Sequence, residues 1–220
     1  MALTEHYYTK FYNGCFYHIY NRSVDKKPMF KNDGNYEFFL NKYFGYLSPV
    51  LDTYAYCLLG NHFHLLVRIH DNIPTDLTTF KKLSNLSTKS TTSSSLLKTT
   101  HNIVSHQFRK FFQSYAMAFN KQQSRTGTLF QTPFKRALVD SDQYFTRLVY
   151  YIHANPQLHG LIDDFTQWNW SSYQQILHNK PGNLKNTEVI NWFGGTEGYK
   201  QFHLENQKLI HNEKYIMEDE

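Results

Sequence analysis

The chain has 220 residues, 40% of them hydrophobic and 19% charged, which is enough to bury a core and excludes wholesale disorder. No run approaches the roughly 18 consecutive apolar residues of a membrane span. The first ten residues lack the apolar stretch of a signal peptide, and Cys15 and Cys57 are too few for a disulfide framework and too far apart for a CxxC pair. A reduced, cytoplasmic protein with no membrane partner is expected.

The net charge of +5 is modest but unevenly spread. Leu77 to Val139 carries ten basic residues and no Asp or Glu, leaving 13 basic and 18 acidic residues elsewhere. That asymmetry points to a polyanionic partner, with nucleic acid first because Lys and Arg on phosphates gain from counterion release. The other reading of the same charges is a solvated basic face. Of the 17 Tyr, 18 Phe and 3 Trp, most must be core, and some could stack on unpaired bases.

In chain order, Gly14 to Arg22 is rich in aromatic and β-branched residues and reads as a strand. Asn35 to Leu47 has apolar residues at helical spacing, with Asp33, Gly34 and Asn35 as start signals. Thr53–Leu59 and His62–Ile69, broken by Gly60-Asn61, read as a β-hairpin. Ser84 to Thr100 is 11 Ser or Thr in 17 residues and reads as a flexible insertion. His101 to Gln122 is a second periodic helix, and Phe134 to Val139 a further strand. Asp140-Ser141 caps a helix expected to stop at Asn155, before Pro156. After Gly160 comes a helical tail containing Trp168, Trp170 and Trp192, with an acidic end. Strand, helix, hairpin, helix, strand, helix predicts an α+β fold: a ferredoxin-like or RRM-like antiparallel sheet with helices on one face.

Two local features could carry chemistry. His62 and His64 alternate on a strand, so both imidazoles share a face and could bind one metal ion, although such pairs also occur as ordinary sheet-face residues. Two imidazoles leave the site incomplete. In Tyr150-Tyr151-Ile152-His153-Ala154-Asn155-Pro156, Tyr151 and Asn155 share a helix face at four-residue spacing. Tyr151 lies at the border of the apolar stripe, as a half-buried core ring or as a phenol nucleophile. A helix turns about 100° per residue, so only one of Tyr150 and Tyr151 can face such a site. No P-loop and no GxSxG elbow is present.

Four motifs in order, YHIYNR (17–22), YCLLGNHFHLLV (56–67), GTLFQTPFKRALV (127–139) and YYIHANPQLHG (150–160), resemble the HUH-type single-tyrosine transposases, in their REP-associated branch. WSSY (170–173) looks like a weaker continuation. The resemblance implies a catalytic domain over 1–165, with 84–100 as an insertion, and a helical C-terminal extension over 166–220 packed on it. It implies Tyr151 as nucleophile and His62, His64 and Asn155 as ligands of Mg²⁺ or Mn²⁺. The activity implied is cleavage and rejoining of single-stranded DNA beside hairpins through a 5′-phosphotyrosine, by a monomer in preference to a homodimer. Asn21, Arg22, Arg109, Lys110, Lys135 and Arg136 are candidate DNA contacts. The alternative is a catalytically silent RRM-like nucleic-acid-binding protein. Departures from the family pattern are Gly60 in place of a frequent Pro, and QLHG after the Asn-Pro pair in place of a more basic tetrad.

Overall fold

The computed structural model describes residues 8–73 and 99–212. The Ser/Thr-rich stretch up to Lys98 and the acidic end from Glu213 lie outside the described residues. Four strands form one antiparallel sheet: β1 (Phe16–Arg22), β2 (Leu51–Leu59), β3 (His62–Ile69) and β4 (Lys135–Val139), in spatial order β2-β3-β1-β4. Helix α1 (Asp33–Leu47) joins β1 to β2, and α2 (Thr100–Gln122) lies between β3 and β4. This is the ferredoxin-like arrangement that the pattern of elements predicts.

Register decides what each face presents. Tyr20 pairs with His64 and Lys135, while Arg22 pairs with His62. Because side chains alternate, His18, Tyr20, Arg22, His62, His64, Lys135 and Ala137 share one face. Tyr17, Ile19, Phe63, Leu65 and Val67 share the other and are fully buried. That second face is covered by α1 and α2. Phe39 of α1 packs 5.1 Å from Phe63 and 4.9 Å from Phe111 of α2, ring centre to ring centre. Apolar burial of such rings is the main stabilising term, and truncating one to Ala costs about 3–5 kcal/mol.

The helix capped by Ser141, α3 (Asp142–Leu158), packs on the opposite face, the one bearing the histidines. Ser141 accepts a hydrogen bond from the Tyr144 N–H, the expected cap. Phe145, Leu148, Val149 and Ile152 form its buried stripe, and Phe145 meets Phe16 edge-on at 5.2 Å. One boundary differs from the sequence reading: α3 does not stop at Asn155 but runs through Pro156 to Leu158. The Pro lacks only one N–H, and the following turn is still held, with the His159 N–H donating to the Asn155 carbonyl at 3.0 Å. Gly160, at φ +66, then supplies the left-handed residue that ends the helix.

Among the described residues beyond Gly160, a short 3-10 turn (Phe165–Gln167) is followed by three α-helices: α4 (Tyr173–Leu177), α5 (Asn186–Trp192) and α6 (Thr196–Asn212). The WSSY segment runs along the free edge of β2. The Leu58 N–H donates to the Trp170 carbonyl and the Ser172 N–H to the Tyr56 carbonyl, each at 2.9 Å. A strand edge that would otherwise expose unpaired backbone is thereby closed. Among the described residues, no helix is long and apolar enough to cross a membrane.

Candidate active site

His62 and His64 of β3 share the histidine face, and α3 lies against it with Asn155 midway between Tyr151 and His159, whose rings meet His64 and His62; His62, His64 and Asn155 are each nine-tenths or more buried. The His62 and His64 rings lie 5.4 Å apart, centre to centre, and nearly perpendicular. For His62 the neighbouring side chain determines which nitrogen is presented. The Asn61 amide oxygen, 2.6 Å from His62 Nδ1, can only accept, so Nδ1 carries the proton and Nε2 keeps its lone pair. His62 Nε2 has no hydrogen-bond partner. His64 Nδ1 lies 3.0 Å from Nε2 of a third buried histidine, His18 on β1. The Asn155 amide is oriented in the same way: its Nδ2 donates to the Tyr151 carbonyl at 2.9 Å, which leaves the buried Oδ1 without a partner.

All three histidines are neutral. Burial holds the pKa of His62 and of His18 down to about 3. Burial pushes His64 well below its ordinary value, with the neighbouring His18 and His62 adding to the effect. Neutral imidazoles with an available lone pair are what metal ligation requires. Among the described residues, no group of three or more His, Cys, Asp or Glu side chains could hold a metal ion. Asn155 Oδ1, buried and without a hydrogen-bond partner, is an oxygen that could serve as a third donor beside the two imidazoles. Two imidazole nitrogens and an amide oxygen fit a divalent ion such as Mn²⁺ or Mg²⁺, with imidazole favouring Mn²⁺.

Tyr151, one turn before Asn155, presents its ring edge-on to His64 at 5.6 Å and to His18 at 6.2 Å. Tyr150 turns away. Its ring meets Phe165 and His203, its hydroxyl is buried without a partner, and burial raises its pKa. Of the adjacent tyrosines, only Tyr151 lies against the histidines. His159, four residues beyond Asn155, places its ring 4.9 Å from His62.

The candidate DNA contacts divide by face. Arg22 and Lys135 lie on the histidine face and line a small cleft with Tyr20, His62 and Gln131. Lys135 Nζ sits 5.2 Å over the Tyr20 ring. Asn21 points to the other face, where it donates to the Gln131 carbonyl and accepts from the Arg22 N–H. Arg109 is exposed on α2, and Lys110 sits over the Tyr46 ring at 5.7 Å, both on the helix layer across the sheet. Arg136 is committed to structure: Nε donates to the Thr9 carbonyl at 2.7 Å, and its guanidinium packs on Phe11 and Phe134. The structure thus brings Arg22 and Lys135 to the histidines and leaves Arg109, Lys110 and Arg136 apart from them.

Behind the tyrosine helix lies a buried polar chain that sequence reasoning did not find. His203 Nδ1 lies 2.8 Å from the Tyr199 carbonyl, which can only accept, so His203 Nε2 must accept from His153 Nδ1–H at 3.0 Å. His153 Nε2 in turn accepts from the Ser172 hydroxyl at 2.8 Å, and Ser172 Oγ accepts from the Tyr56 N–H. The Ser172 hydroxyl also lies 3.2 Å from the Tyr56 carbonyl, and the chain connects α6, α3, the WSSY segment and β2.

The fold and site define a ferredoxin-like sheet with an imidazole pair on one face, opposed by a helical tyrosine and an amide. No family model and no curated protein matches the chain. Among solved structures, the chain is similar to one described as a REP-associated tyrosine transposase bound to a REP hairpin. The two are 13% identical, the match covers 77% of this chain and 83% of that one, and the TM-score is 0.52. At that identity the likeness is one of fold.

Proposed function

We propose that the protein is a metal-dependent tyrosine DNA strand transferase that cleaves and rejoins single-stranded DNA beside hairpins. The observation that carries this reading is the Tyr151 ring lying against the His64 ring, one helical turn from Asn155. His62 Nε2, His64 Nε2 and Asn155 Oδ1 would hold Mn²⁺ or Mg²⁺, which supplies Lewis acidity at a phosphate oxygen. The ligands are uncharged, so the full positive charge of the ion is retained for the substrate.

The Tyr151 oxygen attacks phosphorus as the P–O3′ bond breaks; the phenolic proton is released to water, and the departing O3′ takes one up from water. The products are a 5′-phosphotyrosine and a free 3′-hydroxyl. The bond energy is conserved in the phosphotyrosine, so a 3′-hydroxyl can reverse the step without ATP. Arg22 and Lys135 are placed to neutralise phosphates flanking the scissile one. The proposal is for a monomer, in which Tyr151 acts with the histidines of its own chain. The REP hairpin bound in the similar solved structure is in keeping with a hairpin as the substrate class.

The test uses labelled hairpin oligonucleotides with a single-stranded flank, incubated with Mn²⁺ or Mg²⁺ and run on denaturing gels. A covalent adduct with wild type and none with Tyr151→Phe is expected. Salt-sensitive binding without any adduct, beside a reactive control transposase, would replace this reading with a silent nucleic-acid-binding module.

A further inference from the structure

His18 is given no role by the chemistry described so far, yet it is buried against the candidate centre. It belongs to β1, two residues before Tyr20, the strand partner of His64. Its Nε2 is 3.0 Å from His64 Nδ1, and its ring is stacked on Tyr20 at 4.7 Å. We propose that His18 is a positioning residue: its Nε2 accepts the His64 Nδ1 proton, locking His64 in the tautomer and ring orientation that offer Nε2 to a metal ion.

The proposal rests on the metal reading above, and three observations support it. First, an imidazole has two nitrogens and one proton when neutral. An acceptor fixed at Nδ1 therefore dictates that Nε2 is the bare nitrogen. Second, His62 is held in the same sense by a different device, the Asn61 amide oxygen at 2.6 Å. With His18 as the acceptor, both members of the pair offer the same nitrogen. Third, the His18 ring is clamped between Tyr20 and Tyr151, which meets it edge-on at 6.2 Å, so the acceptor is itself oriented by packing. Such partners more commonly include carboxylates, which make the ligand more basic. A neutral imidazole fixes the geometry and adds no negative charge, so the ion keeps its pull on phosphate.

The experiment compares full-length wild type with His18→Phe, which keeps the ring volume without an acceptor, and with His18→Gln and His18→Asn. The Gln amide reaches the position of Nε2 and the Asn amide does not. Two readouts are taken on folded, metal-free protein: the His64 tautomer from ¹⁵N-histidine NMR, and Mn²⁺ affinity by calorimetry. Wild type and His18→Gln are expected to show His64 protonated at Nδ1 and similar Mn²⁺ affinity. His18→Phe and His18→Asn are expected to show mixed tautomers and Mn²⁺ binding about 10–100-fold weaker. If His18→Phe fails to fold, the Gln and Asn pair carries the comparison, since both are polar and smaller than His. Unchanged tautomer and affinity in the variants that lack the acceptor would overturn the proposal. No Mn²⁺ uptake by wild type, with the tautomer still dependent on His18, would instead overturn the metal reading.

Discussion

Lowering the pH should loosen the C-terminal elements from the tyrosine helix, and the His153–His203 pair fixes by how much. Burial lowers the His203 pKa from 6.5 to about 4 and pushes His153 well below its ordinary value. The unfolded chain takes up these protons below about pH 6.5 and the native chain does not. Stability is therefore full above pH 6.5 and falls as the pH drops towards 4. One pKa unit is worth about 1.4 kcal/mol, so His203 alone withdraws about 2 kcal/mol at pH 5. His203→Phe is expected to destabilise the protein at pH 7.5 by about 1–3 kcal/mol, because the His153 Nδ1–H is left without an acceptor. That variant takes up one proton fewer on unfolding, so its deficit relative to wild type should shrink by about 2 kcal/mol between pH 7.5 and 5. Urea unfolding in EDTA across that range measures the gap directly. A gap that stays constant would refute the assignment of a neutral, buried His203.

Other outcomes are equally specific. Ser172→Ala removes the donor to His153 and the acceptor for the Tyr56 N–H, and should cost about 2–3 kcal/mol, read as a lower Tm. Tyr150→Phe should retain adduct formation that Tyr151→Phe abolishes, read on the same denaturing gel. Asn155→Ala should weaken Mn²⁺ binding in calorimetry while hairpin affinity in EDTA stays unchanged. Arg22→Ala or Lys135→Ala should reduce the salt dependence of single-strand binding by about 0.7 in log–log slope, as expected for one lost phosphate contact. Arg109→Ala, on the far side of the sheet, should leave that slope unchanged.

The sequence made parts of this molecule legible for physical reasons. Alternation along a strand placed His62 and His64 on one face, and helical spacing placed Tyr151 with Asn155. Both follow from backbone geometry within one element. Ser141 could be read as a cap because capping is local. What escaped were partnerships set by tertiary register. His18 and His64 are 46 residues apart, and His153 and His203 are 50 apart; no spacing rule connects either pair. Arg136 looked like a phosphate contact because charge was all that composition offered, whereas its guanidinium anchors the backbone near Thr9. The helix continued past Pro156 because the lost hydrogen bond was only one, against a stripe of buried apolar residues.

The four-residue spacing of Tyr151 and Asn155 has a consequence for control. A rigid helix moves as one body, so under the proposed function the nucleophile and the metal ligand would be seated together or withdrawn together. A shift of α3 large enough to move the phenol from the histidines would take the third donor with it. In the proposed reaction, the state most dangerous to a cell, a loaded metal hydrolysing DNA with no tyrosine to retain the broken end, would thereby be hard to reach. The safety of the proposed reaction and its chemistry would then depend on the same helical turn.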